Sequence, residues 1–106
     1  MESVQAEILE NWKKELELEL RILQDEIKDV EYKKLELKTK KRFIKRTSEE
    51  YENNSLKQKF LDTMEYKQIG ESIEQKGNEL NVLNMQYEER AGFYKTLLNR
   101  FETVTG

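Results

Sequence analysis

Cysteine, histidine and proline are all missing from the 106 residues, and glycine occurs only four times. Without cysteine there is no disulfide and no thiol nucleophile, and the redox compartment is left open. Without histidine there is no Ser-His-Asp triad, no imidazole-built zinc site and no Glu-x-x-His pair for a di-metal helical centre. A chain of this length would ordinarily carry about five prolines. Proline breaks helices by removing an N–H and clashing with the preceding turn, and disordered chains are rich in it. Its absence therefore favours helix on two counts. No apolar run approaches the ~20 residues of a membrane span, and the acidic N-terminus lacks the apolar stretch of a signal peptide. The expectation is an intracellular protein, cytoplasmic or nuclear.

Charged residues make up 39% of the chain and hydrophobic residues 36%. Compact domains run nearer half apolar and a quarter charged, so a round, single-core domain is disfavoured. Disordered chains and extended coiled coils both tolerate this balance. Periodicity separates them, because only the coiled coil requires it.

The periodicity is there. Leu9, Leu16, Leu23, Val30, Leu37, Ile44 and Tyr51 recur every seven residues and form a d stripe. The a positions between them are Lys13, Leu20, Ile27, Lys34, Lys41 and Ser48, so the seam is strong from Leu16 to Val30 and one-sided beyond. Ile8 and Trp12 widen its start, and a wide core position is expected for Trp12. A second series runs Tyr66, Ile73, Leu80, Tyr87, Tyr94, Phe101, with Ile69, Lys76, Leu83, Arg90, Leu97 and Val104 three residues after each. Sustained heptads of this kind specify helices that pack along a seam.

The second frame is displaced by four residues from the first, which means either a stutter in one helix or a turn between two. Glu52-Asn53-Asn54-Ser55 lies between them. Asparagine suits turns, and Ser55 with Gln58 has capping-box spacing. The reading is all-α: one coiled-coil region over residues 1–106, preferably an antiparallel two-helix hairpin. Helix 1 is expected over about 3–52, the turn at about 53–55 and helix 2 over about 56–104. One continuous helix in a heteromeric coiled coil is the alternative.

Charge is segregated. Residues 1–32 carry ten acids and four bases. Residues 33–46 carry eight bases (Lys33, Lys34, Lys38, Lys40, Lys41, Arg42, Lys45, Arg46) and one acid, Glu36. An in-register parallel homodimer would set these basic runs side by side, with Lys34 and Lys41 facing their copies in the core, and is disfavoured. A hairpin instead brings them opposite Asp62, Glu65, Glu71 and Glu74. Gly70 and Gly77 fall on one heptad stripe with Asn84 and Ala91, which suggests close helix approach or glycine tolerated on a solvated face.

Catalysis needs a cleft that shifts a pKa, and a two-helix rod offers none, so no enzyme, cofactor or metal site is expected. The partner expected is protein, either another copy or a different coiled-coil chain. The lesser alternative is nucleic acid or an anionic membrane bound through residues 33–46. The C-terminal aromatics Tyr87, Phe93, Tyr94 and Phe101, with Leu97, Leu98 and Val104, put apolar residues on more than one side of the last three turns, so further cover is expected there, from another helix or a following domain.

The segment Tyr87-Glu-Glu-Arg-Ala-Gly-Phe-Tyr-Lys-Thr-Leu-Leu-Asn-Arg-Phe-Glu-Thr-Val-Thr-Gly106 resembles the join between coiled coil and globular head in kinetochore coiled-coil proteins with C-terminal RWD-type heads. The resemblance covers about twenty residues of the chain. It implies a coiled-coil partner and a spindle-attachment scaffold, in a chain that continues into a head.

Overall fold

The computed structural model describes residues 3–105, with side chains described to residue 103. All regular structure among the described residues is α-helical: α1 (Ser3–Ser48), α2 (Asn54–Thr63) and α3 (Tyr66–Thr105). Val104 of the second seam lies outside the described side chains, and Gly106 lies outside the described residues. No helix among the described residues is long and apolar enough to cross a membrane.

The chain forms two compact units. One comprises Met1–Ile27 and Val82–Gly106, the other Lys28–Asn81. In the first unit, the start of α1 packs against the end of α3. Trp12 meets Phe101 with ring centroids 5.3 Å apart, Glu19 meets Tyr94, and Gln24 donates to the Tyr87 hydroxyl at 2.8 Å. Residue numbers fall on α3 as they rise on α1, so the pair is antiparallel. Leu16 and Leu23 are buried in it. Trp12, expected at a wide core position, keeps 42% of its surface exposed and flanks the seam. Its place one residue before a seam position puts it at the edge, where the indole covers Phe101 from the side.

The second unit holds the turn. Val30 is its buried apolar residue. Lys34 faces Gly77, and Lys41 faces Gly70 and Tyr66, which again runs antiparallel. α1 closes at Ser48 rather than near residue 52: the Glu49, Glu50 and Tyr51 amides donate three residues back, to the Arg46, Thr47 and Ser48 carbonyls at 3.3, 3.1 and 3.2 Å, which tightens the chain out of the α-helix. The Ser48 side chain, completely buried there, donates its hydroxyl to the Lys45 carbonyl at 2.6 Å. That bond satisfies the serine within its own helix as the chain turns. The turn occupies 49–53, and Tyr51 closes it by packing on Phe60, with centroids 5.3 Å apart.

The next helix is capped by Asn53, not by Ser55. The Asn53 carboxamide oxygen accepts from the Ser55 and Leu56 amides at 2.8 and 3.2 Å, which satisfies two orphan donors of the first turn. Gln58, the expected partner of a Ser55 cap, donates to Asp62 instead, at 2.8 Å. The second arm is also split. Helix breaks at Met64 and Glu65, where Glu65 has a left-handed φ of 57°. α2 half-buries Lys57, Phe60 and Leu61. Continued unbroken, that face would next turn in Met64 and Gln68. The break re-aims the helix so that Tyr66, Ile69 and Ile73 are half-buried instead.

Candidate interaction surfaces

In the first unit, Leu16 and Leu23 are buried, while Leu9, Leu20, Ile27, Leu83, Tyr87, Tyr94, Leu97 and Phe101 are half-buried. In the second, Val30 is buried and Leu37, Ile44, Tyr66, Ile69, Ile73 and Leu80 are half-buried. Half-burial follows from two-helix packing, since a seam between two cylinders leaves each side chain with an open flank. Tyr87 and Tyr94 use that flank. Their rings lie on the seam while their hydroxyls reach polar groups on α1, as amphipathic side chains do at a wet boundary. The Tyr94 hydroxyl donates to the Glu19 carboxylate. That bond to the charged acceptor, first, and then burial, raise the Tyr94 phenol above its usual pKa.

The seam lysines sit against glycine. A Cβ at Gly70 would stand 3.1 Å from the Lys41 ammonium nitrogen, and one at Gly77 would stand 3.5 Å from that of Lys34. The glycines thus make room for the ends of lysine side chains, not for a backbone approach. The Lys41 ammonium also lies 5.2 Å from the Tyr66 ring centre, within cation–π range. Both lysines are half-buried, with their stems on the seam and their charges at its edge.

The rest of the basic run is not neutralised by the opposite helix. The ion pairs found among the described residues are Lys33–Asp29 at 2.9 Å and Lys76–Glu79 at 3.2 Å, each within one helix. Asp29 raises the Lys33 pKa, first by accepting its hydrogen bond and then through its charge. The expected complement of Glu71 and Glu74 therefore forms no ion pair with Lys38, Lys41, Arg42, Lys45 or Arg46. Those five cations, with Glu49, line an open concavity of about 580 Å³ whose α3 side is Tyr66 and Ile73. Lys40 is exposed and is not part of its lining.

The first unit carries exposed apolar side chains on both of its helices. Leu18 and Ile22 on α1 are 53% and 50% exposed, and Val82, Met85 and Phe93 on α3 are 54%, 70% and 64% exposed. Compared with known proteins, the chain matches no family model, no curated protein and no solved structure.

Two contributors escaped the heptads. Ser48 was visible as an a position but gave no sign of complete burial, which only the turn imposes. Phe60 belongs to neither frame. Its signal was the i, i+3, i+4 spacing of Lys57, Phe60 and Leu61 in a short helix of its own.

Proposed function

We propose that this protein is a structural coiled-coil scaffold that mediates protein–protein assembly and performs no catalysis. The observation that carries the reading is the set of apolar side chains left outward on both helices of the first unit: Leu18 and Ile22, one turn apart on α1, and Val82, Met85 and Phe93 on α3. Single exposed apolar side chains are ordinary. Here they accompany a core of only three buried apolar residues among the described ones, Leu16, Leu23 and Val30. Helices with so little buried gain most by covering a second face.

The partner's chemistry follows from charge. The residues of the first unit carry eleven acids and six bases. A partner helix with apolar positions at heptad spacing and basic flanks fits this surface, with charge setting orientation and encounter. A parallel copy of the same chain fits poorly, because Lys34 and Lys41 already sit against Gly77, Gly70 and Tyr66 within one chain. Placement in a kinetochore or other chromosome-segregation complex rests on the resemblance of residues 87–106 alone.

The test is the mass in solution, alone and with basic-flanked coiled-coil chains. The expected result is a salt-sensitive complex that is lost in Ile22→Glu with Phe93→Glu while helicity by circular dichroism is retained. A chain that stays monomeric at high concentration and takes up no such helix removes the proposal.

A further inference from the structure

We infer that the concavity of the second unit is a binding site for a compact polyphosphate, such as the headgroup of a multiply phosphorylated lipid or a soluble compound of the same chemistry. The inference goes beyond the scaffold reading and does not depend on it. Five cations, Lys38, Lys41, Arg42, Lys45 and Arg46, border one space of about 580 Å³, with Glu49 as the single acid on its lining. That volume falls in the range of small-molecule sites, roughly 300–1,000 Å³. Clusters of four to eight Lys and Arg on a helix are the pattern that recruits phosphorylated headgroups, and Arg42 and Arg46 add planar forks suited to phosphate oxygens.

Two further observations separate this site from an ordinary solvated face. The first is that the cations have no carboxylate partner: none of the five is in an ion pair, although Glu71 and Glu74 lie on the facing helix. The second is that Lys41 is seated on the α3 side of the space. Its ammonium occupies the room beside Gly70, 3.1 Å from where a Cβ would stand, and lies 5.2 Å from the centre of the Tyr66 ring that lines the concavity.

The same details favour a compact anion over a nucleic acid strand. Lys38 to Arg46 spans about 12 Å of helix at 1.5 Å per residue. A longer polyanion leaving this stretch would meet Glu49, Glu50 and Glu52 at the turn, while in the other direction Glu36 interrupts the run before Lys34 and Lys33, the latter already paired with Asp29. Tyr66, the ring on the lining, already carries the Lys41 ammonium, whereas strand binders need free rings on which bases stack. A small ligand feels mainly the charges within a Debye length, about 8–10 Å.

The experiment titrates the full chain with inositol hexakisphosphate by calorimetry, and in parallel with phosphatidylcholine vesicles containing a phosphoinositide bisphosphate. Binding by either is expected, weakening with salt. Binding to vesicles alone assigns the ligand to a lipid, binding to the soluble compound alone to a free polyphosphate, and mutual competition to the shared headgroup chemistry. Lys38→Gln with Arg42→Gln and Lys45→Gln is expected to lower affinity by at least about tenfold. Lys33→Gln with Lys40→Gln, which removes cations that do not line the concavity, is expected to change it by less than about twofold. Circular dichroism checks that both variants keep their helix, which glutamine supports. The inference is overturned by absence of binding to both probes at low salt, by equal loss in the two variants, or by tighter binding of a short single-stranded oligonucleotide than of either probe.

Discussion

The Lys41 ammonium stands 5.2 Å from the centre of the Tyr66 ring and at the open side of Gly70. A cation on a coiled-coil seam is costly unless its charge escapes the apolar contact, and here glycine and a ring face give it an exit. The arrangement predicts a graded response to alanine. Nothing lies within 4 Å of a Cβ at Gly92, ordinary contact awaits one at Gly77, and the Lys41 ammonium nitrogen is only 3.1 Å from one at Gly70. Gly92→Ala and Gly77→Ala are expected to stabilise by up to about 1 kcal/mol through helix propensity. Gly70→Ala is expected to gain less, because Lys41 must shift off Tyr66. Urea denaturation of the three variants checks the order.

Leu18 and Leu23 lie five residues apart on α1, the first 53% exposed and the second 6%. Leu23→Ala is expected to cost about 2–3 kcal/mol, the low end for a buried leucine. Leu18→Ala is expected to cost under about 0.5 kcal/mol in the isolated chain. Leucine and alanine are both strong helix formers, so the difference measured by thermal or urea unfolding reports packing. If a partner covers Leu18, the second variant weakens the complex while leaving the free chain nearly unchanged.

Asn53→Ala removes the acceptor of the Ser55 and Leu56 amides. Loss of such a cap costs about 0.5–2 kcal/mol. Ser55→Ala, by contrast, is expected to be nearly neutral. Amide hydrogen exchange over residues 54–63 separates the two, with faster exchange in the first variant only.

Glu65 holds a φ of 57°. For a residue with a Cβ, that conformation costs about 1–2 kcal/mol. Glu65→Gly removes the cost and gives back part of it as chain entropy, for an expected net gain of about 0.5–1 kcal/mol. Glu65→Val, β-branched at a left-handed position, is expected to destabilise. Chemical denaturation of both variants tests the sign.

The raised pKa of Tyr94 gives a pH dependence. A phenol whose folded value lies above its unfolded value, about 10, adds stability that is fully present below the unfolded value. That stability is lost as pH rises through the folded value, because the phenolate can no longer donate to Glu19. Lys33 shifts in the same sense through Asp29 but lies on the surface, where such pairs contribute little. Denaturation midpoints are expected to fall as pH rises above about 10, and Tyr94→Phe is expected to flatten that fall.

Much of this was legible in the residues, and particular positions show where legibility ended. Leu16, Leu23 and Val30 read as the strongest part of the first seam, and they are the buried apolar residues among the described ones. The turn was placed within a few residues by Asn53 and Asn54. Its cap was misassigned because Ser55–Gln58 and Asn53 offer equally good local chemistry, and only the path of the chain selects between them. The break at Met64 and Glu65 gave no signal, having neither glycine nor proline. It exists to turn Tyr66 and Ile69 towards α1, a demand set by a helix distant in sequence.

The sequence alone determined helix, heptad spacing, the segregation of charge and the need for a turn, because these depend on local propensity and on the period of apolar residues. Tertiary structure decided what Lys34, Lys41, Gly70 and Gly77 are for. Lys34 and Lys41 looked like flaws in a seam until Gly77 and Gly70 were found opposite them. The basic run looked destined to pair with Glu71 and Glu74, yet side-chain reach and direction left five cations around an open space. Charge balance is a sum along the chain, whereas ion pairing depends on distance, and distance is fixed only when the helices pack.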